Sequence, residues 1–254
     1  MLIGRSRGGP VWLQSFSPWT PSQLDDVIDW LPLNAGAGAT QEELTNYISG
    51  AAAIYRGSDG TIEPTDPTWT ADGLSFDGGD YCNQPDNYNM IATSELSVMV
   101  AVNPTATGVH QALFTRENLG STTPVILFRI YSNVSGLPHL LVRDDAGNNG
   151  AVTGTHVTVG DWITHGFTLQ IGGTAKTYVN GLFDNSASLA TVGNITLGRQ
   201  ALGAWITAGG GYFLTCSMAY VVVTGSELSA TEMANLHNYI RRQVARRGIT
   251  LPKV

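Results

Sequence analysis

Charge, lysine, cysteine and long apolar runs are all scarce in this 254-residue chain, and each scarcity removes a class of function. Only 13% of the residues are charged, about half the ~25% of an ordinary soluble domain, and lysine occurs only at Lys176 and Lys253. Basic residues number 13 against 20 acidic, and the net charge of −7 repels a phosphate backbone, so nucleic acid is not an expected partner. No apolar run approaches the roughly 20 residues of a membrane-spanning helix, and the longer ones, such as residues 219–223, are strand-sized. A soluble chain without membrane insertion is expected. Two cysteines, Cys82 and Cys216, are too few for a disulfide scaffold and lack the spacing of a zinc site, leaving one bridge or two buried thiols open. The first dozen residues carry arginines without the apolar stretch of a secretory signal, so none is expected.

What is present is apolar material and punctuation. Hydrophobic residues make up 43% of the chain, enough to bury a core, and 30 glycines break it into short pieces. Thr20-Pro21 followed by Leu24, Val27, Ile28 and Leu31 predicts a short helix ended by Pro32. Thr40 and Glu43 have capping-box spacing before Leu44, Tyr47 and Ile48, which predicts a second. A third is predicted over residues 229–247, where Ser229 and Glu232 form a capping box. Met233, Leu236, Ile240 and Val244 then make one apolar stripe, and arginines crowd the last turns.

Between residues 74 and 224 the chain reads as strands rich in Val, Ile, Thr, Tyr and Phe, separated by Gly, Asn, Asp and Pro. The clearest cover residues 74–77, 96–102, 125–131, 139–143, 162–171, 176–180, 194–198 and 212–224. Many short strands without intervening helices predict an all-β antiparallel sandwich of jelly-roll type, closed by the C-terminal helix. No linker or repeat divides residues 20–254, which are expected to form one domain behind an arm of residues 1–19.

Several landmarks occur together and in order: Phe16-Ser-Pro18, Trp30-Leu31, Phe76-Asp-Gly-Gly-Asp-Tyr81, Ser97 through Pro104, Gly160-Asp-Trp162, Thr177-Tyr-Val-Asn-Gly181, Ile195-Thr-Leu-Gly198 and a closing strand before Leu228-Ser. In this the chain resembles the laminin G-like branch of the concanavalin A-like lectin/glucanase superfamily, as found in bacteriophage structural proteins. The resemblance implies a lectin-like sandwich. It also implies that the Phe-Asp-Gly strand, which Cys82 follows, and the closing strand, which Cys216 precedes, lie side by side, with the sulfurs within one or two residues of cross-strand register. Gly78, Gly79, Gly181 and Gly198 are expected at positive φ in turns, and Phe76 and Trp162 are expected between the sheets.

Catalytic signatures are lacking. A retaining glucanase needs two carboxylates about 5 Å apart, and no Glu-x-Asp-x-x-Glu pattern supplies them. Asp25-Asp26 and Asp144-Asp145 are adjacent pairs whose side chains diverge on an extended backbone, so they read as solvated charge. His110, His139, His156, His165 and His237 have no metal-site spacing and read as ordinary loop or sheet residues. No Gly-x-Ser-x-Gly elbow or phosphate-binding glycine loop occurs. The resemblance suggests one cofactor, a structural Ca²⁺ begun by Asp77 or Asp80, against the alternative that both aspartates cap their own turn.

For sugar binding the candidates are aromatics in polar loops: Trp205 in a glycine-rich connection, and Tyr88 between Asn87 and Asn89. A Trp205 folded back onto the sandwich remains the alternative. The resemblance, the charge-poor composition and the lack of a signal together lead to an expected role as a non-enzymatic phage virion protein, either a capsid decoration or a tail or fibre component. Such a subunit would form homo-oligomers and dock to other virion proteins through Arg5, Arg7, Trp12 and Trp19 and through Arg241, Arg242, Arg246 and Arg247. It could also adhere to host glycans. A cell-surface lectin is the first alternative, and a glycan-active hydrolase the second.

Overall fold

The computed structural model describes residues 19–24, 26–48, 53–57, 61–84, 90–91, 94–104, 110–118, 125–131, 136–156, 159–205 and 212–254. In chain order the strands begin with β1 (Val27–Pro32), β2 (Glu43–Leu44), β3 (Ile54–Arg56), β4 (Thr68–Trp69), β5 (Leu74–Ser75), β6 (Cys82–Gln84), β7 (Met90–Ile91), β8 (Glu95–Pro104) and β9 (Gln111–Glu117). They continue with β10 (Val125–Tyr131), β11 (Leu137–Arg143), β12 (Asn149–Thr153), β13 (Ile163–Gln170), β14 (Thr174–Val179), β15 (Leu182–Ser188), β16 (Thr196–Leu197), β17 (Arg199–Leu202) and β18 (Cys216–Thr224). Helix α1 (Ala230–Ala245) follows.

Two antiparallel sheets stack as a sandwich. The first runs β15-β14-β13-β8-β18-β5-β4, with β1 also paired to β18; the second runs β12-β11-β10-β9-β17-β6-β3-β2. Alternate residues of each strand fill the space between them. Val98, Val100 and Val102 of β8 and Phe167 of β13 face Phe114 of β9, Phe128 of β10 and Leu140 of β11. The rings of Phe114, Phe128 and Phe167 meet at 5.0 to 6.1 Å.

The outer face of the first sheet is covered as well. Met99 and Ala101 of β8 and Tyr220 and Val222 of β18 pack under Met233, Leu236, Ile240 and Val244 of α1. Burial on both faces explains why β8 and β18 read as continuous apolar runs instead of alternating. The helix is the element the sequence announced most clearly. Ser229 accepts from the Glu232 N–H and Glu232 reaches back to the Ser229 N–H, and the four stripe residues are buried, each stabilising the docking by about 1.5–3 kcal/mol.

The two N-terminal helices are not formed. Thr20-Pro21 opens only a 3-10 turn, Pro21–Gln23, and Asp26 then takes φ +54. Residues 27–32 become β1 on β18. Apolar spacing of three and four suits either outcome over so short a stretch, and β-branched Val27 and Ile28 with an open ladder on β18 decide it. The second predicted helix is β2, paired with β3, and Glu42 forms an ion pair with Arg56.

The cysteines also differ from expectation. β5 does pair with β18, as the resemblance implied, but the turn at residues 77–80 carries the chain across the sandwich before Cys82 is reached. Cys82 therefore sits in β6 of the second sheet and Cys216 in β18 of the first. Both are free, buried thiols whose pKa burial pushes up. Among the landmark glycines, Gly78 and Gly181 have φ +102 and +78, whereas Gly79 and Gly198 do not lie in that region. Phe76 is in the inter-sheet core, but Trp162 packs on the helix side of the first sheet.

Candidate functional site

Among the described residues, no helix lies over the outer face of the second sheet. Its floor follows from strand parity: Ile126, Phe128 and Ile130 of β10 point inward, so Val125, Leu127 and Arg129 point outward, with Leu141 and His139 of β11 beside them. Ala112 of β9 completes an apolar patch on which Trp205 and Tyr212 lie, their ring centroids 5.2 Å apart. The two ends of the glycine-rich connection are pinned to β9. The Ala112 N–H donates to Tyr212 O at 2.8 Å, and Thr115 Oγ1 donates to Ala204 O at 3.0 Å.

Polar groups gather around Tyr212. The Arg129 guanidinium lies 5.1 Å from its ring centroid and His110 meets it edge-on at 5.1 Å. Arg129 Nε donates to His139 Nδ1 at 3.3 Å, so the proton of neutral His139 is on Nε2. Burial, with the charge of Arg129, lowers the His139 pKa to about 4. The Trp205 Nε1–H is buried and has no hydrogen-bond partner among the described residues. Glu117 points to the same face but is held by Arg199 at 2.9 Å, so it is not a free acid.

This surface places two tilted, adjacent aromatics and a cation over an apolar floor, an arrangement suited to holding a ligand. Trp205, named from the sequence, is folded back onto the sandwich and remains partly exposed. Tyr212, Arg129, His139 and His110 were not singled out as ligand-facing. An aromatic residue at each end of a glycine-rich loop was the available signal. Tyr88, Arg5, Arg7 and Trp12 lie outside the described residues.

The remaining candidates are dispersed. Trp19 packs edge-on against Tyr239 of α1 at 6.2 Å, and its carbonyl accepts from Arg242 at 3.3 Å. Arg247 is an internal tie, donating to the carbonyls of Leu33 at 2.6 Å and of Asp72 and Ala219 at 2.9 Å. Arg241 is half-buried and Arg246 exposed.

Asp77 and Asp80 cap their own turn. Asp80 Oδ2 accepts from the Asp77 N–H at 2.9 Å and Asp77 Oδ1 from the Gly79 N–H at 3.1 Å. Burial, with Asp77 alongside, raises the Asp80 pKa to about 6. Ca²⁺ takes six to eight oxygens, and among the described residues no group of three or more Asp, Glu, His or Cys is placed to hold a metal.

Asp144 is buried rather than solvated, whereas Asp145 is exposed. Asp144 accepts from Asn148 and from the Gly193 N–H at 2.8 Å, bonds that lower its pKa, and Asp145 clasps Thr196 at 3.0 Å. His165 is enclosed in the core against Phe128, its pKa lowered to about 4 by burial. His237 ties β13 to the chain end through Thr164 and the Pro252 carbonyl.

Residues 76–234 match the laminin G-type model of the concanavalin A-like lectin/glucanases superfamily. The chain belongs to that family. Among solved structures, this laminin G-like chain is similar to the binding domain of paraclostridial mosquitocidal protein 1, with a TM-score of 0.63 at 10% identity, covering 85% of this chain and 52% of that one. It is similar to the binding domain of botulinum neurotoxin serotype G at 0.61 and 14%, covering 84% and 51%. The serotype D ligand-binding domain, solved with N-acetylneuraminic acid, gives 0.60 and 15%, covering 85% and 51%. The chain thus spans about half the length of those chains, and at these identities the likeness is one of fold. No curated protein sequence matches the chain.

Proposed function

We propose that this laminin G-like chain is a non-enzymatic binding module whose ligand is a glycan, held on the outer face of the second sheet by Trp205 and Tyr212. The observation that carries this is the Trp205–Tyr212 pair, its rings tilted at 40° to each other and flanked by Arg129 and His110, on a sheet face that no helix covers among the described residues. Sugar rings present C–H faces to aromatic rings and hydroxyls to fixed donors, and this site offers both. The fold shared with toxin binding domains, one of them solved with a sialic acid, is consistent with adhesion.

The test is binding to a panel of immobilised glycans by the full chain and by Trp205→Ala. The expected result is binding that weakens at least about tenfold in the variant. Turnover of a glycan would refute the non-enzymatic part.

The finer proposal places the module on a bacteriophage particle as a homo-oligomeric subunit. Its support is the charge-poor composition and the family association, and co-sedimentation with purified virions tests it. A structural Ca²⁺ at Asp77 and Asp80 is likewise a proposal, tested by comparing melting with calcium and with chelator.

A further inference from the structure

A second recess lies on the opposite side of the molecule, between β1 and the last turn of α1. Its volume is about 230 Å³, and Tyr47, Tyr220, Tyr239, Gln243, Arg246 and Arg247 line it. That is below the roughly 300–1,000 Å³ of drug-sized sites and leaves room for a single ring.

The walls are preorganised. Tyr239 and Tyr220 are buried and meet edge to face at 6.2 Å, and the Trp30 indole N–H donates to the Tyr220 hydroxyl. The Tyr47 N–H donates to the Trp30 carbonyl at 3.0 Å, and Asn46 Oδ1 accepts from the next N–H, that of Ile48, at 3.1 Å. The Tyr47 ring is thereby held edge-on to Trp30 at 5.6 Å while 56% of the residue stays exposed. Little ordering is left to be done on binding.

The charge is one-sided. Two arginines line the recess, and no carboxylate does among the described residues, on a chain whose net charge is −7. Arg247 is fixed on three carbonyls and serves as an immobile positive wall. Arg246 lines the recess, is exposed, and makes no side-chain hydrogen bond or ion pair among the described residues, which leaves its guanidinium available to an anion. The nearby helix end contributes only about half a negative charge, which two full positive charges outweigh.

We infer that this recess is a second ligand site, taking one acidic sugar ring with its carboxylate on Arg246 and its ring against Tyr47. The choice of a sugar rests on the glycan-binding reading; the requirement for negative charge rests on the two arginines alone. The site shares no residue with the Trp205 face, so the two readings fail separately.

The experiment titrates the full chain with galacturonic acid, with neutral galactose and with inorganic phosphate, followed by saturation-transfer NMR and calorimetry. Galacturonate should bind with a dissociation constant on the order of 1 mM and galactose at least about tenfold more weakly. Arg246→Ala and Tyr47→Ala should each weaken galacturonate about tenfold with the melting temperature unchanged, and Trp205→Ala should leave it unaltered. Galacturonate binding no tighter than galactose, or insensitive to both recess variants, overturns the inference. Phosphate binding as tight as galacturonate overturns the sugar assignment. Loss of neutral-glycan binding in Trp205→Ala with no galacturonate binding sinks this site alone, and the converse sinks only the sheet-face reading.

Discussion

Replacing Asp29 tests how a polar pair is kept between two hydrophobic layers. Asp29 on β1 and Arg116 on β9 are both fully enclosed and belong to opposite sheets. Gln200 on β17 joins them, with Nε2 donating to Asp29 Oδ2 at 2.7 Å and Oε1 accepting from Arg116 Nε at 2.9 Å, and Asn46 Nδ2 donates to Asp29 Oδ1 at 2.8 Å. Burial raises the Asp29 pKa, against the opposing pull of Gln200, Arg116 and Asn46. Asp29→Leu takes away one negative charge near the enclosed Arg116 and leaves the Gln200 and Asn46 amides without the acceptor they share, a change that costs about 3–5 kcal/mol. At about 2–4 °C per kcal/mol for a domain of this size, the melting temperature should fall by roughly 6–20 °C. Coupling it with Arg116→Met should recover most of the loss, because a buried pair exchanged for apolar residues is often close to neutral. A raised carboxyl pKa means that the native state binds the proton more tightly, so the Asp29 contribution shrinks as pH rises through the carboxylate range, and Asp29→Asn should flatten that slope. Urea unfolding followed by tryptophan fluorescence measures each value. A loss under about 1 kcal/mol for Asp29→Leu, or a double variant as unstable as the sum of the singles, would refute the reasoning.

Two further outcomes follow from buried groups. His165 is held near pKa 4 by burial, so its stabilising contribution is complete above the ordinary histidine range and is lost as pH falls from about 6.5 toward 4. Stability measured across that window should drop by about 2–3 kcal/mol less in His165→Phe than in the parent chain. Gly181→Ala should destabilise by about 2–4 kcal/mol, since φ is +78 and a Cβ would stand 2.6 Å from the His237 Cβ and 3.1 Å from the Ala234 backbone; calorimetric melting checks it.

The parts of the fold legible in the sequence are those whose stabilisation is local or strongly periodic. Residues 125–131 were delimited as a strand at both ends, and α1 was announced by its cap and stripe. β9 was overlooked because Gln111, Arg116 and Glu117 make it look like a polar loop, when their partners are Thr215, Gln200 and Arg199, up to about a hundred residues away. The same distance hid most of the site. Trp205 stood out because glycines surround it, whereas His110, Arg129, His139 and Tyr212 are assembled only by pairing β9, β10 and β11. Landmark order identified the family but not the sheet switch at residues 77–80, so Cys82 was assigned to the wrong layer.

The two outer faces differ in what covers them, and that difference bears on how Trp205 must be tested. On the first sheet a whole helix seals the outward apolar positions; on the second, Val125, Leu127 and Ala112 are just as buried, beneath Trp205 and Tyr212. Trp205 is therefore a cover as well as a contact, and Trp205→Ala uncovers floor and should cost about 1–2 kcal/mol of stability, less than a fully buried tryptophan because the ring is partly exposed. Weakened glycan binding in that variant alone would not separate the two roles. Trp205→Phe keeps a smaller aromatic cover and removes the indole N–H, which has no partner among the described residues. If the ring serves solely as a lid, Trp205→Phe should match the parent in both melting and binding. If the indole turns its donor to a ligand oxygen, melting should hold while binding weakens about fivefold, the effect of one neutral hydrogen bond.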